Sequence, residues 1–362
     1  MSTWVYYFLM MDAATSTEYV AEVRQRYRSN FARHLLGVSL YLQSEIMRTL
    51  TEQCGHSALR INYEPYIAII GTNGARLSDI ADLLGISRQA ANQTANQIEA
   101  AGYIERKADP SDGRAKLLIA TRQGLRLRKD GAREAARLQA QMIKIAGHQA
   151  INATIGTLGR LNSQLGLLLV PGHDTGFEEQ AQLGGLLPRL SDYTRNRLML
   201  LTAARGHPDL KLSFGQVLTA IGPGGGRIQH IADAQGVSKQ AISATANELE
   251  ELDYIRRVPD PSDARQVLLH FTDKGLGLIA DSVASVDDLL AEFADLVGIT
   301  PLKKLGTTLQ ALYRALHLEE DIFGNTAPVD IRVLAQQLTK QLGEEGTQAL
   351  GRLLLSRDNI TV

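Results

Sequence analysis

LSDIADLLGISRQAANQTANQIEAAGYIERKADPSDGRAKLLIATRQGL, from Leu77 to Leu125, is written a second time as IQHIADAQGVSKQAISATANELEELDYIRRVPDPSDARQVLLHFTDKGL, from Ile228 to Leu276. The two copies align without a gap and are identical at roughly half of their positions. Gly85 pairs with Gly236, Asp109 with Asp260, Arg114 with Arg265 and Gly124 with Gly275. A fixed register over such a length marks a duplicated structural unit. The duplication reaches further. Leu50, Gly55-His56, Ile70-Gly71 and Arg76 find Leu201, Gly206-His207, Ile221-Gly222 and Arg227, and Leu158 and Leu161 find Leu309 and Leu312. Each unit is then roughly 135–140 residues, the size of one domain. VPGHDTGFEEQ (Val170 to Gln180) reads as a connector. The expected division is an N-terminal extension at 1–28, a first unit at 29–167, a linker at 168–180, a second unit at 181–318 and a helical tail at 319–362.

Within a unit the patterning is mostly helical. Leu35, Leu36, Val38, Leu42 and Ile46 predict a long helix over Asn30 to Glu52, with a counterpart over Leu183 to Ala204. A short helix from Glu64 to Ile70 is broken by Gly71-Thr72-Asn73-Gly74. Ile80, Ala81 and Leu84 make a two-turn helix that stops at Gly85, a residue suited to a left-handed end. Ser87 and its equivalent Ser238 are placed to cap the next helix, which in the first unit runs to Ala101. Tyr103 to Ala120 alternates about Asp-Pro-Ser-Asp, predicting a two-stranded hairpin. Thr121 opens another long helix, and Ala150 to Leu165 one more. The fold class is mainly α with small β wings: two tandem winged helix-turn-helix domains with long flanking helices, paired as an intramolecular pseudo-dimer.

Composition restricts the function classes. The chain has 362 residues, 44% of them hydrophobic, and a formal net charge of −1, so any basic surface must be local. Cys54 is the only cysteine, which excludes an intramolecular disulfide and a cysteine-rich zinc site and predicts a cytoplasmic setting. Thr3 to Met11 is apolar but far shorter than the roughly 20 residues of a membrane span, and no Lys or Arg precedes it as in a secretory leader. It reads as a packed N-terminal segment or as sequence upstream of a start at Met10 or Met11.

With the hairpin, the pattern resembles the MarR (multiple-antibiotic-resistance regulator) family of bacterial transcription factors. An Ile-Ala-Asp helix leads through Gly-Ile/Val-Ser to a helix ending in Glu-x-x-x-Tyr-Ile-x-Arg. Asp-Pro-Ser-Asp-x-Arg and Thr-x-x-Gly-Leu follow, in both copies. The resemblance covers most of Asn30 to Leu316 and implies helical pairing between units, with one wing and one recognition helix per operator half. Two departures stand out. The family wing reads Asp-Arg-Arg or Asp-Lys-Arg, whereas Asp112-Gly113-Arg114 and Asp263-Ala264-Arg265 each lack one cation. The tandem fusion is the second.

The expected DNA-binding residues sit on the recognition helices and wings. In the first unit they are Ser87, Arg88, Gln89, Asn92, Gln93 and Asn96, with Ala91, Ala95 and Ile98 facing the core. In the second they are Ser238, Lys239, Gln240, Ser243, Ala244 and Asn247. Arg grips guanine bidentately and Asn or Gln does so for adenine, so the two helices are expected to prefer different half-sites. Arg114 and Arg265 near the wing tips suit the minor groove, with Asp112 and Asp263 on the same strand face to hold them extended. Arg106, Arg256 and Arg257 are weaker phosphate candidates. From the family resemblance a small aromatic effector is expected near Tyr41, Tyr63 and Tyr66 or near Tyr193, Arg197 and Phe214, with at most one high-affinity site per chain. No enzyme constellation emerges. Gly222-Pro223-Gly224-Gly225-Gly226 lacks a following Gly-Lys-Ser/Thr, and the eight histidines show no metal spacing. His56 and His207 read as structural or pocket residues, and Cys54 as an inert thiol. No cofactor and no membrane partner is expected. The reading is a ligand-responsive DNA-binding regulator, a repressor, acting as a monomeric pseudo-dimer with room for further homodimerisation. The alternative is a winged-helix interaction scaffold without DNA binding.

Overall fold

A computed structural model describes residues 13–110, 112–167, 182–222, 224–235, 237–260 and 263–318. The extreme N-terminal stretch, the connector and the tail anticipated above lie outside these residues. Helix α1 (Ala13–Arg28) leads into the first unit. There α2 (Phe31–Glu52), α3 (Glu64–Ile70), α4 (Leu77–Leu84) and α5 (Arg88–Ala100) precede a hairpin, and α6 (Arg122–Ala146) and α7 (His148–Gln164) close the unit. The second unit repeats the order with α8 (Gln182–Ala204), α9 (Phe214–Ala220), α10 (Ile228–Gln235), α11 (Lys239–Glu251), α12 (Asp273–Val297) and α13 (Ile299–Ala315).

The patterning predicts two-stranded hairpins, and these form as β2 (Ile104–Asp109) with β3 (Asp112–Ala120) and β5 (Ile255–Asp260) with β6 (Asp263–Phe271). Each is extended by a two-residue strand, β1 (Ala75–Arg76) or β4 (Gly226–Arg227). The sheet orders are β1-β3-β2 and β4-β6-β5. Each hairpin shifts register at one point, between Ala108 and Asp109 and between Pro259 and Asp260. Two residues are too few to carry an alternation, which is why sequence patterning passes over β1 and β4.

Capping side chains fix where helices begin. Asn30 accepts from Arg33 N at 3.0 Å, Ser87 from Ala90 N at 3.1 Å and Ser238 from Ala241 N at 3.2 Å. Gly85 ends α4 at φ 62°, the left-handed conformation that glycine adopts without a Cβ penalty. The hydroxyl of Thr121 accepts from Gly124 N at 3.1 Å and donates to Gly102 O at 2.6 Å, stitching the start of α6 to the turn before β2. Thr272 repeats both contacts in the second unit.

The long helices of the two units share one core. Leu35, Val38 and Leu42 of α2 pack in a single cluster with Leu158 and Leu161 of α7, Leu187 and Leu190 of α8, Phe293 of α12 and Leu309 of α13. Each lobe carries its own smaller core, around Ile80, Ile98 and Tyr103 in one and Ile231, Leu249 and Tyr254 in the other. Because the largest cluster draws on both units, burial of apolar area holds them together as a pseudo-dimer within one chain. Helix α1 reaches across to the second unit. Val23 enters that lobe's core, and Arg26 Nη2 lies 2.8 Å from both carboxylate oxygens of Asp287.

The shared core is not symmetric. Tyr313 of α13, 1% exposed, lies against His34 of α2, with ring centroids 5.0 Å apart. At the matching place in α7 stands Asn162, whose Nδ2 donates to Leu158 O of its own helix and to Leu186 O of α8. His34 is buried, and burial followed by the charge of Arg314 lowers its pKa to about 4. An unfolded imidazole titrates near 6.5. The folded state therefore binds fewer protons between these values, and the stabilisation present above pH 6.5 is lost as pH falls through about 4. We expect the melting temperature of the wild type to fall more steeply between pH 6.5 and 4 than that of His34→Leu. Equal slopes would assign the acid sensitivity to other groups.

Candidate nucleic-acid interface

Each recognition helix buries one stripe and exposes the other. On α5, Ala91, Ala95 and Ile98 are fully buried, while Arg88, Gln89, Asn92, Gln93 and Asn96 are exposed. On α11, Ile242, Ala246 and Leu249 are buried, and Lys239, Gln240, Ala244 and Asn247 are exposed. Ser243 is only half-exposed. Ser87 and Ser238 are exposed too, but their hydroxyls are engaged as caps.

The exposed asparagines have partners that sequence spacing does not suggest. Arg106 of β2 turns back onto α5, where its Nη2 donates to Asn92 Oδ1 at 3.1 Å and to Asn96 Oδ1 at 2.8 Å. Its Nη1 pairs with Glu99. In the second unit Arg257 pairs with Glu250, and its Nη2 donates to Asn247 Oδ1 at 2.6 Å. Arg106 and Arg257, read from sequence as phosphate contacts, are thus tied to the recognition helices. The repeat held the signal: Arg, Glu and the second Asn recur at the same positions in both copies.

The wing arginines Arg114 and Arg265, and the carboxylates Asp112 and Asp263, lie on β3 and β6, and their own side chains are outside the described residues. The described wing anchor is a different pair. Asp109, 5% exposed, receives Arg76 Nε at 2.7 Å and Nη2 at 2.5 Å. Asp260, 4% exposed, receives Arg227 Nε at 2.8 Å and Nη2 at 2.6 Å. A buried carboxylate gripped twice by one guanidinium fixes the base of the wing to the added strand β1 or β4.

A groove of about 2230 Å³ runs past both units. Tyr63, Tyr66, Tyr193, Arg197 and Phe214 line it. Tyr41 does not; it packs on the shared core, and burial, then the charge of Glu45, raises its phenol pKa. Tyr63, Tyr66 and Phe214 are themselves core residues, with Tyr66 Oη donating to Ala91 O at 3.3 Å. Arg197 is held by Glu292, its Nε 3.0 Å from Oε2.

His56 and His207 are buried ties between the end of the first long helix and the long helix after the wing, with Nε2 3.0 Å from Asp130 and Asp281 respectively. Cys54 is half-buried, with Arg133 Nη2 3.7 Å from its Sγ. Among the described residues no cluster of three metal-ligating side chains occurs, and no helix is long and apolar enough to cross a membrane.

Comparison with known proteins gives matches to the MarR family at residues 65–115 and 209–266, once in each unit. No curated protein matches. Among solved structures, the transcriptional regulator Tm0710 from Thermotoga maritima is similar at 19% identity over 40% of this chain and 96% of its own, with a TM-score of 0.31. A MarR-family regulator from Rhodococcus sp. RHA1 shares 24% identity over 36% of this chain and 91% of its own, with a TM-score of 0.30. CouR from Rhodococcus jostii RHA1, solved with p-coumaroyl-CoA bound, shares 24% identity over 40% of this chain and 94% of its own, with a TM-score of 0.31.

Proposed function

We propose that this chain, which matches the MarR family once in each of its two units, is a DNA-binding transcriptional repressor of that family reading one operator with two unlike recognition helices. The observation that carries the proposal is the pair of capped helices, α5 and α11, each with a buried apolar stripe and an exposed polar one behind a wing anchored by a buried ion pair. A helix so presented enters the major groove with its N-terminal residues against base edges. Ser87, Arg88, Gln89, Asn92, Gln93 and Asn96 act in one half-site, and Ser238, Lys239, Gln240, Ser243, Ala244 and Asn247 in the other. Arg114 and Arg265 add wing contacts. Because the two units face each other within one chain, the operator is an imperfect inverted repeat and not a palindrome. The effector is a small aromatic acid bound in the groove, with Tyr63, Tyr66, Tyr193, Arg197 and Phe214 around it.

Selection from a random duplex pool tests the reading. The full chain should enrich an inverted repeat with different preferred bases in its two halves. A perfect palindrome would overturn the unlike-halves operator. The double variant Arg114→Ala/Arg265→Ala should bind more weakly, with the salt slope of log K reduced by about 2, one for each phosphate-type contact removed. An unchanged slope would take the wings out of the mechanism.

A further inference from the structure

The contacts of Arg106 and Arg257 determine what the recognition-helix asparagines can read. A guanidinium has hydrogen-bond donors and no acceptor. Each asparagine that meets it must therefore turn Oδ1 inward. Asn92 and Asn96 do so toward the one Nη2 of Arg106, which has a hydrogen for each, and Asn247 does so toward Arg257. The acid that steadies each arginine, Glu99 or Glu250, stands on the same helix, so the arrangement is internal to the lobe and present before DNA arrives. What each exposed amide then offers outward is its NH2, a donor only.

Reading adenine bidentately requires both ends of the amide, Oδ1 for N6–H and Nδ2 for N7. With Oδ1 turned toward the guanidinium, the amide edge that carries both groups is no longer presented whole to the base, and that two-point pairing is disfavoured. We propose that Arg106 and Arg257 are positioning residues that set the polarity of these asparagines. Asn92, Asn96 and Asn247 then make single donor contacts to base-edge acceptors (guanine O6 or N7, thymine O4, adenine N7) in place of bracketing adenine, and the preference for adenine is lost. This rests on the regulator reading above. It also makes the halves unequal in a defined way. Two polarised amides act in the first unit and one in the second, because Ser243 stands where Asn92 stands in the first.

The test is selection from a random duplex pool with the full-length protein, its Arg106→Met and Arg257→Met variants, and thermal melts to verify folding. The wild type should show no preference for adenine over guanine and thymine at the bases under these residues. Arg106→Met should raise adenine there by about tenfold at two positions of one half-site. Arg257→Met should do so at one position of the other. Adenine already dominant in the wild type would overturn the proposal. So would an Arg106→Met variant whose affinity falls equally for all sequences, the signature of a merely structural or phosphate role. A pool in which nothing is enriched by any protein would remove the regulator reading instead. The side-chain amide resonances of Asn92 and Asn96 would then decide alone. They shift between wild type and Arg106→Met if the guanidinium holds them, and coincide if it does not.

Discussion

Gly124→Ala should unfold the first lobe. A Cβ at this position would fall 2.0 Å from Tyr103 O and 3.1 Å from its carbonyl carbon. That oxygen cannot retreat. It accepts from Thr121 N at 3.0 Å, and the Tyr103 side chain below it is fully buried. The obstacle is thus backbone held from two sides, unlike a flexible side chain that gives way. The expected loss is about 4 kcal/mol or more, in the tail of single-substitution effects. Gly275→Ala should match it in the second lobe, where the same atom would lie 1.9 Å from Tyr254 O. Hydrogen exchange followed by mass spectrometry separates the lobes. In Gly124→Ala, β2 and β3 should lose protection while β5 and β6 keep theirs. A variant losing less than about 1 kcal/mol would mean that the Thr-x-x-Gly corner relaxes in a way this packing does not allow for.

The second large effect lies where the units meet. A Cβ on Gly37 would stand 2.5 Å from Cε2 and 2.9 Å from Cδ2 of the buried Tyr313 ring. Glycine here is a slot for that ring. Gly37→Leu should expel Tyr313 and weaken the joint between units, and Tyr313→Ala should cost about 3–5 kcal/mol through the cavity it leaves. Combined, the two changes should cost less than their sum, with a coupling of about 2 kcal/mol, because the new leucine occupies space the ring has vacated. Urea unfolding of the four proteins completes the cycle. Strict additivity would show that Tyr313 and Gly37 are not partners. The slot also bears on which surfaces pair. Asn162 stands in the first unit where Tyr313 stands in the second, so two first units meeting would leave the slot underfilled. Two second units would set each tyrosine ring against Pro188, which stands in the second unit where Gly37 stands in the first. Heterotypic pairing within the chain avoids both outcomes.

Some of this architecture follows from residues taken a few at a time. Ser87, Ser238 and Thr121 are caps, Gly85 is a left-handed stop, and Ala91, Ala95 and Ile98 are a buried stripe because hydrogen bonds and side-chain directions one turn apart decide those roles. The repeat itself, read as two winged-helix units, needs only the alignment of the chain with itself. Other features depend on which faces meet, and no local pattern encodes that. Arg76 and Asp109 are remote in sequence, as are Gly37 and Tyr313, and they become neighbours only after the hairpin folds onto β1 and the units close. Helix α1, read from sequence as a mere extension, is held by Val23 in the core of the opposite unit. Tyr41 could not be told from Tyr63 or Tyr66 by composition; its place on α2 turns it to the shared core instead of the groove. The recognition helices show the division most clearly. Sequence determined that Asn92, Asn96 and Asn247 lie on an exposed helical face, because a period of 3.6 residues does so. Tertiary structure alone decided which end of each amide points outward, because the arginine that holds the other end comes from the wing.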